Sequence, residues 1–237
     1  AVKTALSLAA TGHGQAGVPT REELDRRWDF SKVIGRDQRL LRVLEPLDPS
    51  LTLELIPLSD PWRYRNKAEL TFGEGGLGYH VARSFWRIVD LDDCLLLPEA
   101  ASRVVGDIRQ LAQRTGQPAY NPRSHQGFFR SVVIRHSRAT GTLLVCLITT
   151  QGERHLIESI AEELLRRHPS IGSFYWGINM KVADVAIPDE LFLIRGHPYL
   201  EDRVGALTIH LHPLNFLQPT TEQAERMYER VHRWVSA

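Results

Sequence analysis

The residues of this chain that could do chemistry are a short basic stretch, an acidic run beside a cysteine, and a glutamine ahead of a helix. Arg63, Arg65 and Lys67 recur at every second position, the spacing that puts side chains on one face of a strand. Arg83 and Arg87 extend that patch if the chain reverses at Gly73–Gly78, and Trp62, Phe85 and Trp86 stand among them as planar apolar groups. Cations interleaved with aromatics suit a partner made of phosphates and stackable bases. The acidic run, Asp90, Asp92, Asp93 and Cys94, has no matching ligand set elsewhere and reads as a solvated strand end. His210 and His212 share a strand face without the third ligand that zinc needs. The glycines of Gly73-Glu-Gly-Gly-Leu-Gly78 lie between strands instead of opening a helix, so they read as a turn and not as a phosphate cradle. A Walker loop, a Gly-x-Ser-x-Gly elbow, a His-Glu-x-x-His pair and a dinucleotide fingerprint are all absent.

Composition bounds the rest. With 237 residues, 43% hydrophobic and 24% charged, the chain is long enough to bury a core without disulfides or a structural metal. The longest apolar runs, such as Leu143 to Ile148, are far shorter than the roughly 20 residues that cross a bilayer, so no membrane partner is expected. Residues 1–18 lack the apolar centre of an export signal, and the expected location is cytoplasmic. Cys94 and Cys146 cannot form a disulfide framework, and Cys146, inside an apolar run, reads as packing. Of the 29 basic residues 25 are Arg and 4 Lys, a skew that suits phosphate contact and that codon bias also produces.

The elements that must position these groups read as α+β: an antiparallel sheet with flanking helices. Residues 1–18 look like a flexible tether, and 19–48 like a helical segment opened by the capping pattern Thr20-Arg-Glu-Glu23. Leu51, Leu53 and Leu55 alternate as in a strand, and further strands are expected at Ala68–Phe72 and Trp86–Leu91. Pro98 opens a helix that runs to Gly116, and a polar loop, 117–127, follows. Phe128–His136 and Thr142–Thr149 form a hairpin around Ala139-Thr-Gly141. Leu156, Ile157, Ile160, Leu164 and Leu165 make an amphipathic helix ended by His168-Pro169. Strands are expected near 171–176, 191–194 and 206–210, and a last helix carries Ala224, Met227, Tyr228 and Val231 at helical spacing.

Four stretches, in this order, carry a resemblance: Trp62-Arg-Tyr-Arg-Asn-Lys-Ala-Glu69, Gly78-Tyr79, Ile88-Val-Asp-Leu-Asp-Asp-Cys94, and Phe216-Leu-Gln-Pro-Thr-Thr-Glu-Gln-Ala-Glu225. Together they resemble the S-adenosylmethionine-dependent RNA uracil C5 methyltransferases, over about 40–237. The resemblance implies that 49–210 is the central, RNA-facing domain and that 211–237 starts a Rossmann-like methyltransferase domain. It implies that Gln218 faces the cofactor and target base, and that Arg65 and Lys67 face structured RNA, ribosomal or transfer. Arg63, Arg83 and Arg87 join them as RNA-binding candidates on spacing alone.

The departures limit what the resemblance carries. The family's Gly-rich cofactor loop, nucleophilic Cys and general-base Glu have no counterpart in these residues, and Thr220 stands where the family has Asn. Cys94 matches the fourth ligand of the iron-sulfur members, yet two cysteines cannot supply four thiolates, so no cluster is expected. S-adenosylmethionine is the cofactor of the full-length enzyme, and this chain alone is expected to be inactive. The alternative is a standalone RNA-binding or adaptor module working with a catalytic partner chain, and a third reading is a purely architectural domain.

Overall fold

The computed structural model describes residues 56, 58–60, 62–74, 76–81, 83–84, 86–183 and 185–236. The helical segment 19–48 and the strand expected at 51–55 lie outside them, as does Phe85. The chain divides into two compact units, Ala1–Ser59 and Asp60–Ala237, and every element named below lies in the second.

A seven-stranded sheet is the frame. Its strands are β1 (Lys67–Gly73), β2 (Gly76–His80), β3 (Ile88–Asp90), β4 (Phe129–His136), β5 (Leu143–Thr149), β6 (Ile171–Ile178) and β7 (Glu190–Gly196), in the order β3-β2-β1-β4-β5-β6-β7. The expected hairpin is present as β4–β5, with Gly141 at φ 72 in its turn. All pairs are antiparallel except β5–β6. That exception was not legible as a periodicity: a parallel neighbour needs a crossover, supplied here by the helix between the two strands.

Two helices cover one face. α1 (Glu99–Arg114) buries Ala101, Val104, Val105, Ile108, Leu111 and Ala112, one side of a 3.6-residue period, and it stops where Gly116 takes φ 71. α2 (Arg154–Arg167) buries Ile157, Ile160, Ala161 and Leu164, and it ends at His168 because the following Pro169 excludes a helical conformation there. The other face of β4–β6 carries Val133, Leu144, Cys146, Ile148 and Tyr175, packed with Leu200 and Leu211 of a separate two-stranded sheet, β8 (Leu200–Val204) and β9 (Leu207–Leu211). β8 was not expected, since two of its five residues are acidic and one is Arg. β9 runs on through Leu211, past the expected division at 210. Cys146 is fully buried, as its apolar run suggests, and burial pushes its thiol up to about 12. α3 (Thr221–Val235) buries only Thr221 and Ala224. Among the described residues no helix is long and apolar enough to cross a membrane.

Three arginines fix connections onto this frame. Arg63 grips Asp93 through both carboxylate oxygens, at 2.7 and 2.6 Å, and donates to the carbonyls of Cys94 and Leu97. Arg130 donates to the carbonyls of Asn179, Lys181 and Ala183, with its guanidinium 3.9 Å above the Tyr120 ring. Arg135, only 1% exposed, donates to the carbonyls of Pro213 and Asn215, and burial lowers its pKa to about 10.

The Arg63 pair holds the Asp93 carboxyl below its ordinary value, against the opposing effect of burial. A lowered carboxyl stabilises the fold above the unfolded value, near pH 4, and that contribution is lost as pH falls through the lowered one. Acid titration of the parent and of Asp93→Asn, followed by circular dichroism, should therefore show the parent losing more of its stability between about pH 4 and pH 2. Gly127 sits at φ 121, and a Cβ there would lie 2.2 Å from the Ala119 carbonyl oxygen. Gly127→Ala is expected to lower unfolding stability by about 2–4 kcal/mol, read from urea midpoints at constant slope.

Candidate functional site

The basic residues do not form the single strand face that their spacing suggests. β1 begins only at Lys67, and Arg63, at φ 53, lies in the irregular approach to it, committed to Asp93. Arg65 donates its backbone N–H to the Leu96 carbonyl, and its charge acts on Tyr79, which β2 places on the opposite sheet face from Lys67. Lys67 is paired with Glu69 at 2.6 Å. Alternation fails because the residues before β1 run along the segment 95–97 as single hydrogen bonds instead of pairing in a ladder. Gly76 is already paired with Gly73 across β1–β2, so the reversal is tighter than the whole glycine run. Trp86 and Arg87 precede β3, which is only three residues long; with Arg83 they occupy the exposed β2–β3 connection.

The acidic run is solvent-accessible, with the Asp92 side chain 81% exposed, and it is also paired. Arg109 of α1 spans Asp90 at 2.6 Å and Asp92 at 2.9 Å, while Asp93 belongs to Arg63. The partners are arginines 17 to 30 residues away, which no local pattern announces. His210 stacks on Tyr199 at 3.9 Å between ring centroids, and His212 meets the edge of Tyr175, so the two histidines serve separate aromatic contacts. No group of three His, Cys, Asp or Glu that could hold a metal occurs among the described residues.

Two of the resembling stretches meet at Asn66. Its backbone N–H donates to the Pro219 carbonyl, and Nδ2 donates to the Gln218 carbonyl at 2.9 Å and to Thr221 Oγ1 at 3.0 Å. Asn66 Oδ1 is buried without a partner. The first and third stretches meet through Arg63 and Asp93. Gln218 is thus held beside the N-terminal end of β1 by its main chain, ahead of α3, and Phe216, two residues before it, is 80% exposed. The glycine cluster makes a hairpin turn.

A groove at the other end of β1 was missed at the level of sequence. It has a volume of about 870 Å³ and lies between the β2–β3 connection and the loop 117–127, with Thr71 and Gly73 at its base. The loop is internally bonded and not merely polar. Asn121 exchanges backbone bonds with Gln126 and His125 at 2.7 and 2.8 Å, and its Oδ1 accepts from the N–H groups of Arg123 and Ser124. Arg123 reaches across to stand 4.2 Å above the Trp86 ring. The aromatic at 86 and the Pro/Asn/Ser content of the loop were visible in the sequence; their meeting across 37 residues was not.

No family model matches the chain. Among curated proteins it is 32% identical over 179 residues to an uncharacterized RNA methyltransferase of Halalkalibacterium halodurans, covering 74% of this chain and 39% of that protein. A second RNA methyltransferase, from Bacillus cereus, is 27% identical over 183 residues, with the same coverages. Among solved structures, the tRNA (uracil-54, C5)-methyltransferase of Pyrococcus abyssi in complex with S-adenosyl-L-homocysteine superposes with a TM-score of 0.67 at 21% identity, over 83% of this chain and 45% of that one. The chain spans about two-fifths of the length of the curated relatives it matches. By sequence the chain is a relative of the RNA methyltransferases, and its fold matches part of the Pyrococcus abyssi structure.

Proposed function

We propose that this chain is the central, RNA-contacting part of an RNA uracil C5 methyltransferase acting on ribosomal or transfer RNA, with S-adenosylmethionine as methyl donor in the whole protein. The observation that carries the reading is the convergence at residues 63–66. Three family-like stretches, separated by about 30 and 150 residues, meet there through Arg63–Asp93 and Asn66–Gln218. In this reading 211–237 begins the catalytic domain. The half-buried face of α3, with Met227, Tyr228 and Val231 each more than two-fifths exposed and Trp234 71% exposed, is the surface against which that domain packs.

Methylation at C5 of uracil requires a thiolate to add to C6, which makes C5 nucleophilic, and then a base to take the C5 proton. Cys146 is fully buried with a thiol raised to about 12, so almost none of it is thiolate at neutral pH. Cys94 is 4% exposed, and its carbonyl accepts from Arg63 at the foot of α1. In this reading the reactive groups belong to the remaining length of the relatives.

The contribution of the described part is affinity for phosphates. Arg83 and Arg87 are exposed and make no ion pair with a described residue, so they are the candidates best placed for it; Arg65 and Lys67 contribute from the sides of β1, and Arg63 is committed to the fold. Each phosphate contact adds about one counterion to the log-log salt slope of binding. Arg83→Ala with Arg87→Ala should lower that slope by about 2, measured by anisotropy of a labelled hairpin RNA at 50–300 mM salt. Arg63→Ala should instead lower the melting temperature. An unchanged slope in the double variant, or no RNA binding at low salt, overturns the RNA-contacting reading and favours an architectural domain. Calorimetric titration of this chain with S-adenosylmethionine should give no micromolar binding; tight binding would mean that the cofactor site lies within these residues.

A further inference from the structure

We propose that the groove between the β2–β3 connection and the loop 117–127 holds an unpaired nucleotide of single-stranded RNA, its base stacked on Trp86 and its flanking phosphates met by Arg87 and Arg123. This rests on the RNA-contacting reading above and specifies the form of RNA that the domain takes.

Size, charge and surface chemistry agree on the occupant. At about 870 Å³ the groove lies within the range of sites that enclose a small organic molecule, and it is open to solvent along one side, as a chain passing through requires. Its lining includes Arg87, Arg123 and Arg130 against one carboxylate, Glu74. The Arg130 guanidinium is spent on three carbonyls and the Tyr120 ring, so it contributes field, and the cations at 87 and 123 are left at the rim for phosphates.

Trp86 keeps 43% of its surface exposed even with Arg123 over its ring. An indole held at the edge of a basic groove has a use that a core aromatic lacks: every base has a flat face, and stacking on it is sequence-tolerant. Arg123 can stay as the far layer of a sandwich or swing to a phosphate, since it has no ion-pair partner among the described residues. The Gln126 side chain and Ser124 hydroxyl lie along the same wall and can meet base edges. The loop that carries them is already fixed by the Asn121 bonds, by His125 at φ 58 and by Gly127 at φ 121, so little ordering is left to occur on binding. A base inside a duplex has both faces covered by its neighbours, and this geometry can take it only unpaired.

The test uses the full chain and a labelled 12-nucleotide single-stranded RNA of mixed sequence, followed by anisotropy at 50 mM salt. Trp86→Ala should weaken binding about tenfold, as the loss of one base stack does, with the salt slope unchanged because no phosphate contact is removed. Trp86→Phe should bind within about threefold of the parent, since a smaller ring still stacks. The same sequence as a perfect duplex should bind at least about tenfold more weakly than the single strand. Trp86→Ala binding within twofold of the parent, or a duplex binding as well as the single strand, overturns the groove proposal while leaving the RNA-contacting reading in place. Absence of binding to any RNA by the parent chain overturns both. Circular dichroism melts of the two Trp86 variants separate loss of the platform from loss of the fold.

Discussion

A guanidinium taken out of water must be given oxygen atoms in return, and in this chain that requirement decides where the irregular segments lie. Arg135 leaves β4 on the face opposite the helices, and it is satisfied only by bringing in the carbonyls of Pro213 and Asn215. Arg130, five residues earlier, collects three alternate carbonyls from the connection between β6 and β7. Arg63 does the same for the turn ahead of α1, with a bidentate carboxylate added. In each case backbone carbonyls of an irregular segment accept from the guanidinium, and the cation finds its charge solvated by dipoles. A lysine is a poorer substitute, since a planar fork spans acceptors two or three residues apart in a turn while an ammonium presents a single point charge.

Fixing these segments brings distant pieces of chain together. Once Arg135 holds 213–215, Pro219 and Gln218 fall beside the start of β1, where Asn66 takes both of their carbonyls. Asn66 also lies one residue before the β1–β4 ladder, and its own carbonyl accepts from His136, so the C-terminal segment is tied to the centre of the sheet. The unpartnered Oδ1 of Asn66 is the cost of this arrangement, a buried acceptor left over when the amide nitrogen is used twice.

The two ends of β1 then have different work. Its N-terminal end anchors the Gln218 segment and α3, whose apolar face is largely uncovered. Its C-terminal end opens into the groove of Trp86 and Arg123. At about 3.3 Å per residue the six steps of β1 set these regions about 20 Å apart, so a polymer such as RNA could reach both where a small ligand could not. In the proposed reading RNA recognition lies at one end of the domain and attachment of a catalytic domain at the other.

The sequence by itself determined what depends on local period. α1, α2 and the β4–β5 hairpin stand close to where their apolar spacing put them, and Cys146 is buried because its whole neighbourhood is apolar. The four motif stretches were also readable, because a family pattern is a property of residue order. Only the tertiary structure decided which arginine is structure and which is surface. Arg63, Arg87, Arg109 and Arg135 look alike in the sequence, and their side-chain partners among the described residues lie from 17 to 80 residues away or, for Arg87, are absent. The parallel β5–β6 pair, the short charged strand β8 and the meeting of Trp86 with Arg123 were hidden for the same reason. Each is a contact between segments whose local patterns carry no record of one another, and it is settled by which surfaces remain to be covered once the sheet and helices have packed.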